Sequence, residues 1–221
     1  MNNNLIKGAI FDMDGVLLNS EILYQRFWLE ALHSYGYNAK ENHILEIRSL
    51  TGKKAEEKLK SFFGNSLDYQ AVKNKRIELM DNYIKNNGVE IKTGADTILP
   101  FLKNRGIKIA LATSSPFERA KEHLTLAGLF TYFDAVVCGT MVKNSKPDPD
   151  IYLLAAKSLG LTPQECIAVE DSPNGAVSAI RANCKTVFVP DLTPCPKNLE
   201  QKLFALCRDL TDIEKIFSYN T

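Results

Sequence analysis

Ala9-Ile10-Phe11-Asp12-Met13-Asp14-Gly15-Val16 is the stretch on which the fold turns. A short apolar run ends in two carboxylates that flank one methionine, and a glycine follows at once. Strand-like residues running into Asp-x-Asp-Gly put two acids at the carboxyl end of a buried strand. Acids in such a place are costly unless they meet a cation or do chemistry. Taken alone, the stretch reads first as a turn with two solvated acids. It does not read as a calcium loop, which needs its glycine at loop position six; here glycine directly follows the second acid.

The residues around it decide between these accounts. Before it, residues 5–11 form an apolar run interrupted only by Lys7 and Gly8, and they predict a first strand. After Val16 the texture changes. The chain has nine prolines, and every one lies at or beyond Pro100. Residues 17–90 therefore hold none, and helical periodicity fills them. Tyr24, Trp28, Ala31, Leu32 and Tyr35 share one helical face, as do Ala55, Leu59, Phe62 and Phe63, and Ile77, Met80 and Ile84. Gly36, Gly52, Gly64 and Gly88 are candidate helix ends. This predicts an all-helical insert over 17–90 with its aromatics as core.

From Thr93 strands and helices alternate. A helix is expected over 95–105 with Gly106 at its C-cap, then a strand over 107–112. Ser115-Pro116-Phe117-Glu118 has the form of a capping box and opens a helix that ends near Gly128. Strands follow at 135–138, 166–169 and 186–189. Between them Asp148-Pro149 opens a helix that ends at Gly160. Thr162-Pro163-Gln164-Glu165 is a short capped turn, and Ser172-Pro173 caps another helix. The tail, 197 to about 219, reads as helical. Such alternation means βαβ units and a parallel sheet. The expected architecture is α/β: a doubly wound parallel sheet of residues 1–16 and 91–221, with the helical segment 17–90 inserted after the first strand.

Composition bounds the function. The 221 residues are 45% hydrophobic and 24% charged, with a net charge of +1. No large field draws the chain to nucleic acid or to a membrane, and no apolar run approaches the ~20 residues of a span. Lys73-Asn74-Lys75-Arg76 is the one tight basic run and reads as a solvated helix face. The five cysteines form no Cys-x-x-Cys pair and the three histidines show no metal-ligand spacing. Met1-Asn2-Asn3-Asn4 lacks the pattern of a signal peptide. A cytoplasmic monomer with reduced thiols is expected.

In an open parallel sheet the ligand sits outside the carboxyl ends of the strands. Those ends deliver, in order, Asp12 and Asp14; Thr113, Ser114 and Ser115; Ser145-Lys146-Pro147-Asp148; and Glu170-Asp171 followed by Ser172-Pro173-Asn174-Gly175. Singly, each is an ordinary cap or turn. Together they make a phosphoryl-transfer site. Asp12, Asp14, Glu170 and Asp171 concentrate negative charge, which calls for a hard cation such as Mg²⁺. Lys146 adds a positive charge for phosphate oxygens, while Thr113 offers a hydroxyl beside the amides of a helix N-terminus. Asp12 is placed to attack phosphorus. Asp14, two residues on, can protonate the leaving oxygen and then take a proton from water.

These motifs resemble the haloacid dehalogenase-like superfamily across essentially the whole chain, and most closely its β-phosphoglucomutase- and pseudouridine-5′-phosphatase-like branch. The resemblance implies a Rossmann-like core with a helical cap. Asp12 is then the nucleophile and Asp14 the acid/base. Asp12, the Asp14 carbonyl, Asp171 and Glu170 hold Mg²⁺. Thr113 and Lys146 grip the phosphoryl group, with Ser114 and Asn174 assisting. The cap closes over the substrate and reads the leaving group, for which Tyr24, Gly52, Lys53 and Lys54 are the candidates. Dehalogenases of the superfamily lack the second aspartate, so Asp14 speaks against C–Cl cleavage. The mutases carry a cap histidine where this chain has Tyr24. Aligned on Leu50-Thr51-Gly52, their cap arginine falls at Ala55. The expectation is a phosphatase for a small phosphorylated metabolite, a sugar phosphate or nucleoside monophosphate. The alternatives are a sugar phosphomutase and, from another class, a non-catalytic binding protein.

Overall fold

Strand β1 (Gly8–Phe11) is the centre of the protein's sheet in a computed structural model that describes residues 5–48, 50 and 52–218. β2 (Lys108–Thr113) pairs with it on one side and β4 (Cys166–Glu170) on the other, so Ile10 faces both Ala110 and Ala168. β3 (Ala135–Cys138), β5 (Lys185–Phe188) and β6 (Ala205–Leu206) complete the order β3-β2-β1-β4-β5-β6, with every pairing parallel. All four residues of β1 are buried, because the sheet is covered on both faces.

Period-two alternation sends successive side chains to opposite layers. Phe11, Leu111, Val169 and Val187 join α5 (Ala95–Asn104), α6 (Phe117–Leu126) and α10 (Ile213–Ser218) in one core. Ile10, Ala110, Ala112 and Ala168 join α7 (Asp150–Ser158) and α8 (Pro173–Arg181) in the other. The small residues on this second face let the two helices approach closely.

Three local expectations are corrected. The tail is not one helix: α9 (Lys197–Glu200) is a single turn, β6 follows, and α10 closes the described chain, with Tyr219 outside the described residues. The edge of β5 competes for this segment. Its carbonyls accept from Phe204 N (at Thr186, 2.8 Å) and Cys207 N (at Phe188, 2.9 Å). The capping box at Ser115 does not form either. α6 begins at Phe117 with Pro116 at the N-cap and no side-chain capping bond. Thirdly, Arg76 lies inside the helical unit and not on a solvated face.

The chain divides into two compact units, one running to Asn19 and resuming at Val89, the other Ser20–Gly88. In the first, the strands of chain that lead away from and back to the sheet are paired. Lys92 N donates to Leu17 O (2.9 Å) and Asn19 N to Glu90 O (2.7 Å). The second holds α1 (Ser20–Ser34), α2 (Glu41–Ile47), α3 (Gly52–Phe63) and α4 (Tyr69–Asn87). Trp28, Leu32, Ile44, Ile47, Leu59 and Val72 form its own core. Among the described residues, no helix is long and apolar enough to cross a membrane.

Candidate active site

The site grows from the end of β1. Asp12 N still donates to Val169 O (3.0 Å), so the first acid is held by the sheet. Met13 then turns into the core, fully buried. Its carbonyl accepts from Leu17 N and Leu18 N (2.9 and 3.1 Å), closing a tight turn. Gly15 sits in that turn at φ +81°, and a Cβ there would overlap the Asp171 carboxylate. Only glycine supplies both the backbone angle and the room.

Lys146 ties the acids together. Its Nζ donates to Asp12 Oδ1 and Glu170 Oε1, both at 2.6 Å, and to Ala112 O at 3.1 Å. The loop that carries it is pinned to α8 by Ser178 Oγ on Asp148 O (2.5 Å) and Arg181 Nη1 on Pro147 O (3.0 Å). Glu170 is completely buried. Besides Lys146 it accepts from Tyr152 Oη at 2.5 Å and from Ser172 Oγ at 3.2 Å. The same Ser172 oxygen accepts from Gly175 N (3.1 Å), which makes it the N-cap of α8. A Cβ on Gly175 would overlap the Glu170 carboxylate.

Thr113, the last residue of β2, is fully buried, and its Oγ1 accepts from Ser115 N at 3.0 Å. Ser114 is exposed beside it, and Asn174 lies in the first turn of α8. Asp14 is half-buried, and Ser115 Oγ lies 3.2 Å from its Oδ2.

Charge is out of balance here. Burial pushes the Asp12 carboxyl up to about 8; Glu170 and Asp14 add to the rise, and Lys146 opposes it. For Lys146 burial works against the charge, but Asp12 and Glu170 outweigh it, so the ammonium keeps its proton. One ammonium thus serves two carboxylates, with Asp171 alongside. Asp12, Glu170 and Asp171 each offer an oxygen within 4.8 Å of the others. An all-oxygen donor set with surplus negative charge fits a hard divalent cation that keeps several waters, as Mg²⁺ does. The Asp14 side chain stands outside that trio.

The helical unit holds the other candidates. Tyr24 on α1 meets the Trp28 ring edge-on, with centroids 6.0 Å apart, and the Arg76 guanidinium lies 4.8 Å from the Tyr24 centroid. Arg76 also lies 5.6 Å from the Trp28 centroid. A planar guanidinium stacks on aromatic faces, which is how this cation comes to be buried within a basic run. Gly52, Lys53 and Lys54 open α3 and are exposed. Lys53 Nζ lies 3.8 Å from Glu57, both open to solvent. Ala55 is buried, and Thr51 lies outside the described residues.

One residue of the site is not legible in the sequence. Tyr152 stands in Ile151-Tyr152-Leu153-Leu154 and reads as helix core; the one hint is that a buried phenol needs a hydrogen-bond partner. Ser115 is sent to the rim by strand order, although its local sequence reads as a cap.

Comparison with known proteins identifies the family and the fold. The family described as haloacid dehalogenase-like hydrolase matches residues 9–189. Hexitol phosphatase A of Escherichia coli K12 is 34% identical over 203 residues, covering 90% of this chain and 91% of the enzyme. The phosphorylated carbohydrates phosphatase of Thermotoga maritima is 34% identical over 183 residues, 83% of this chain and 84% of its own. A β-phosphoglucomutase structure from Clostridium difficile superposes with a TM-score of 0.77 over 98% of this chain and 97% of that one. At 24% identity it speaks for the fold alone.

Proposed function

The chain belongs to the haloacid dehalogenase-like hydrolases, and we propose that it is a magnesium-dependent phosphatase acting on a small phosphomonoester through an aspartyl-phosphate. The observation that carries this is the buried cluster of Lys146 on Asp12 and Glu170, with Asp171 within reach, at the ends of adjacent strands. A sugar phosphate is the first substrate class to test, since two relatives are named as phosphatases of hexitols and phosphorylated carbohydrates.

Asp12, Asp171, Glu170 and the Asp14 carbonyl are the residues that would hold Mg²⁺. When bound, the ion neutralises the acids and lets a phosphate dianion approach them. Lys146, Thr113, Ser114 and Asn174 hold phosphoryl oxygens. An Asp12 oxygen attacks phosphorus as the ester P–O bond breaks, and Asp14 delivers its proton to the leaving oxygen. In the second half, Asp14 takes a proton from water as that water attacks phosphorus. The Asp12–phosphorus bond breaks, and inorganic phosphate leaves. Lys146 stays protonated throughout as the fixed charge opposite the phosphoryl group.

Choice of leaving group falls in this proposal to the helical unit, through Tyr24, Gly52, Lys53 and Lys54. Tyr24 and Ala55 stand where the mutases carry histidine and arginine, which favours hydrolysis over transfer to a second sugar hydroxyl.

A panel of sugar and nucleoside monophosphates, assayed for released phosphate with Mg²⁺ and again with a chelator, tests the proposal. Turnover should require the metal and vanish in Asp12→Asn. Turnover that survives Asp12→Asn removes the aspartyl-phosphate. Interconversion of hexose 1- and 6-phosphates faster than phosphate release would make the protein a mutase.

A further inference from the structure

A lysine ammonium has three N–H donors, and at Lys146 each meets an acceptor. Two go to groups that form no bond to phosphorus in the proposed reaction, Glu170 Oε1 at 2.6 Å and Ala112 O at 3.1 Å. The third meets Asp12 Oδ1 at 2.6 Å, where the phosphoryl group would arrive. Because the ammonium is tetrahedral, the first two bonds set the direction of the third. Ala112 O belongs to the backbone of a buried strand and is fixed by it. Glu170 ends a rotatable side chain, so whatever holds its carboxylate decides where the ammonium points. Ser172 holds one oxygen, Oε2, with its Oγ at 3.2 Å and its N at 3.5 Å. Tyr152 Oη donates to the other, Oε1, at 2.5 Å, and that is the oxygen Lys146 uses. The phenol is fully buried, and its ring centroid lies 5.2 Å from Lys146 Nζ. α7, the helix that carries it, also anchors the loop of Lys146, since Asn144 N and Nδ2 both donate to Asp150 Oδ2 at 3.1 Å.

We propose that Tyr152 is a positioning residue for Lys146: through the oxygen of Glu170 that they share, it aims the ammonium at the phosphoryl group. This rests on the phosphatase reading above, in which Lys146 grips phosphoryl oxygens. A charge held in place beforehand needs no reorganisation as the reaction proceeds, and a misplacement of about 1 Å can cost ~100-fold in rate. The hydroxyl does what the ring cannot. A phenylalanine would fill the same space and keep its face toward the ammonium, yet would leave the carboxylate to Ser172 and to Lys146 itself.

The test uses orthovanadate, which takes the five-coordinate shape of a phosphoryl group in transfer. Its Ki against the best ester of the panel, with Mg²⁺ present, does not depend on what fraction of the enzyme is folded. Tyr152→Phe should raise that Ki about tenfold, the order of one hydrogen bond to a charged group, and calorimetric titration with vanadate should show the same weakening. A phenol that merely supports the fold would lower kcat through lost active protein and leave Ki unchanged, which would overturn the proposal. Ile151→Val is the control: it removes one buried methylene from the same helix, loosens α7 to a comparable degree, and should leave Ki unchanged. An equal rise in Ile151→Val would mean that α7 as a whole, not the hydroxyl, sets the grip, and would overturn the proposal too. Two levels of failure are distinguishable. If the wild-type protein with Mg²⁺ turns over no ester, the phosphatase reading fails and takes the proposal with it. If it turns over an ester and vanadate inhibits Tyr152→Phe equally well, or inhibits neither protein, only the role of Tyr152 falls.

Discussion

Lys146 shows how few groups hold this site together. Its ammonium touches Asp12 and Glu170 at equal distance, and Tyr152 relieves it by donating to the same Glu170 oxygen. Tyr152→Phe keeps the ring and deletes only that donor. It leaves a fully buried carboxylate short of one bond, which costs about 1–3 kcal/mol. The urea midpoint should fall accordingly with the slope unchanged; an unaltered midpoint would mean that Ser172 and Lys146 satisfy Glu170 unaided. On the surface the signs run differently. Glu165 is held down to about 2 by its hydrogen bond from Lys7 and those from Thr162, against an ordinary 4.5. Its folded form binds a proton less readily than its unfolded form, so its stabilisation is full above about 4.5 and is lost as pH falls through about 2. Glu165→Gln should therefore melt lower than the parent at neutral pH, and the two melting curves should converge as pH approaches 2. The gap will be small, because Lys7 is half exposed and salt screens the pair.

At the scale of elements, the N-terminus of α8 does two jobs with one hydroxyl, since Ser172 Oγ caps the helix and donates to Glu170. Ser172→Ala should cost about 1 kcal/mol from the cap. Gly175→Ala should cost more, about 1–3 kcal/mol as overpacking. Its methyl meets a carboxylate that Lys146 and Tyr152 prevent from swinging aside, so turnover should fall with the melting temperature. Full activity in Gly175→Ala would show that the clamp yields. The caps also show what a sequence can reveal. Ser172-Pro173 and Thr162-Pro163-Gln164-Glu165 form as read, because their partners lie within three residues. Ser115-Pro116-Phe117-Glu118 obeys the same rules and fails: α6 takes Pro116 as its N-cap, and the Ser115 hydroxyl lies on a distant aspartate. β6 is equally hidden: two residues have no periodicity, and an open strand edge recruits them. The acids and Lys146 were legible because strand order alone sends them to one rim. Tyr152 and Arg76 were not. Whether a polar tip points into a core depends on packing that local spacing does not encode.

The whole molecule is two compact units on one chain, each with hydrophobic packing of its own, and that fixes what can be separated. The sheet unit buries its apolar residues among α5, α6 and α10 on one face and α7 and α8 on the other. The helical unit buries Trp28, Leu32, Ile44 and Leu59 among its own four helices. Between Asn19 and Val89 the chain leaves and returns through paired segments, with Asn19 N on Glu90 O at 2.7 Å and Asn19 Nδ2 on Glu90 Oε2 at 2.9 Å. Ends that already meet can be rejoined by a short loop; about four glycine and serine residues fall within the usual range of connections. All the residues proposed for chemistry, from Asp12 to Asn174, belong to the sheet unit, whereas Tyr24, Gly52, Lys53 and Lys54 belong to the other. Replacing residues 20–88 with such a loop should thus give a chain that melts cooperatively and binds Mg²⁺. It should hydrolyse an activated aryl phosphate while the differences in kcat/KM among sugar phosphates collapse. Calorimetry and the substrate panel read the two claims separately. An excised chain that is unfolded would show that the sheet needs the helices for stability. One that is folded and still discriminates among sugars would move substrate choice into the sheet unit itself.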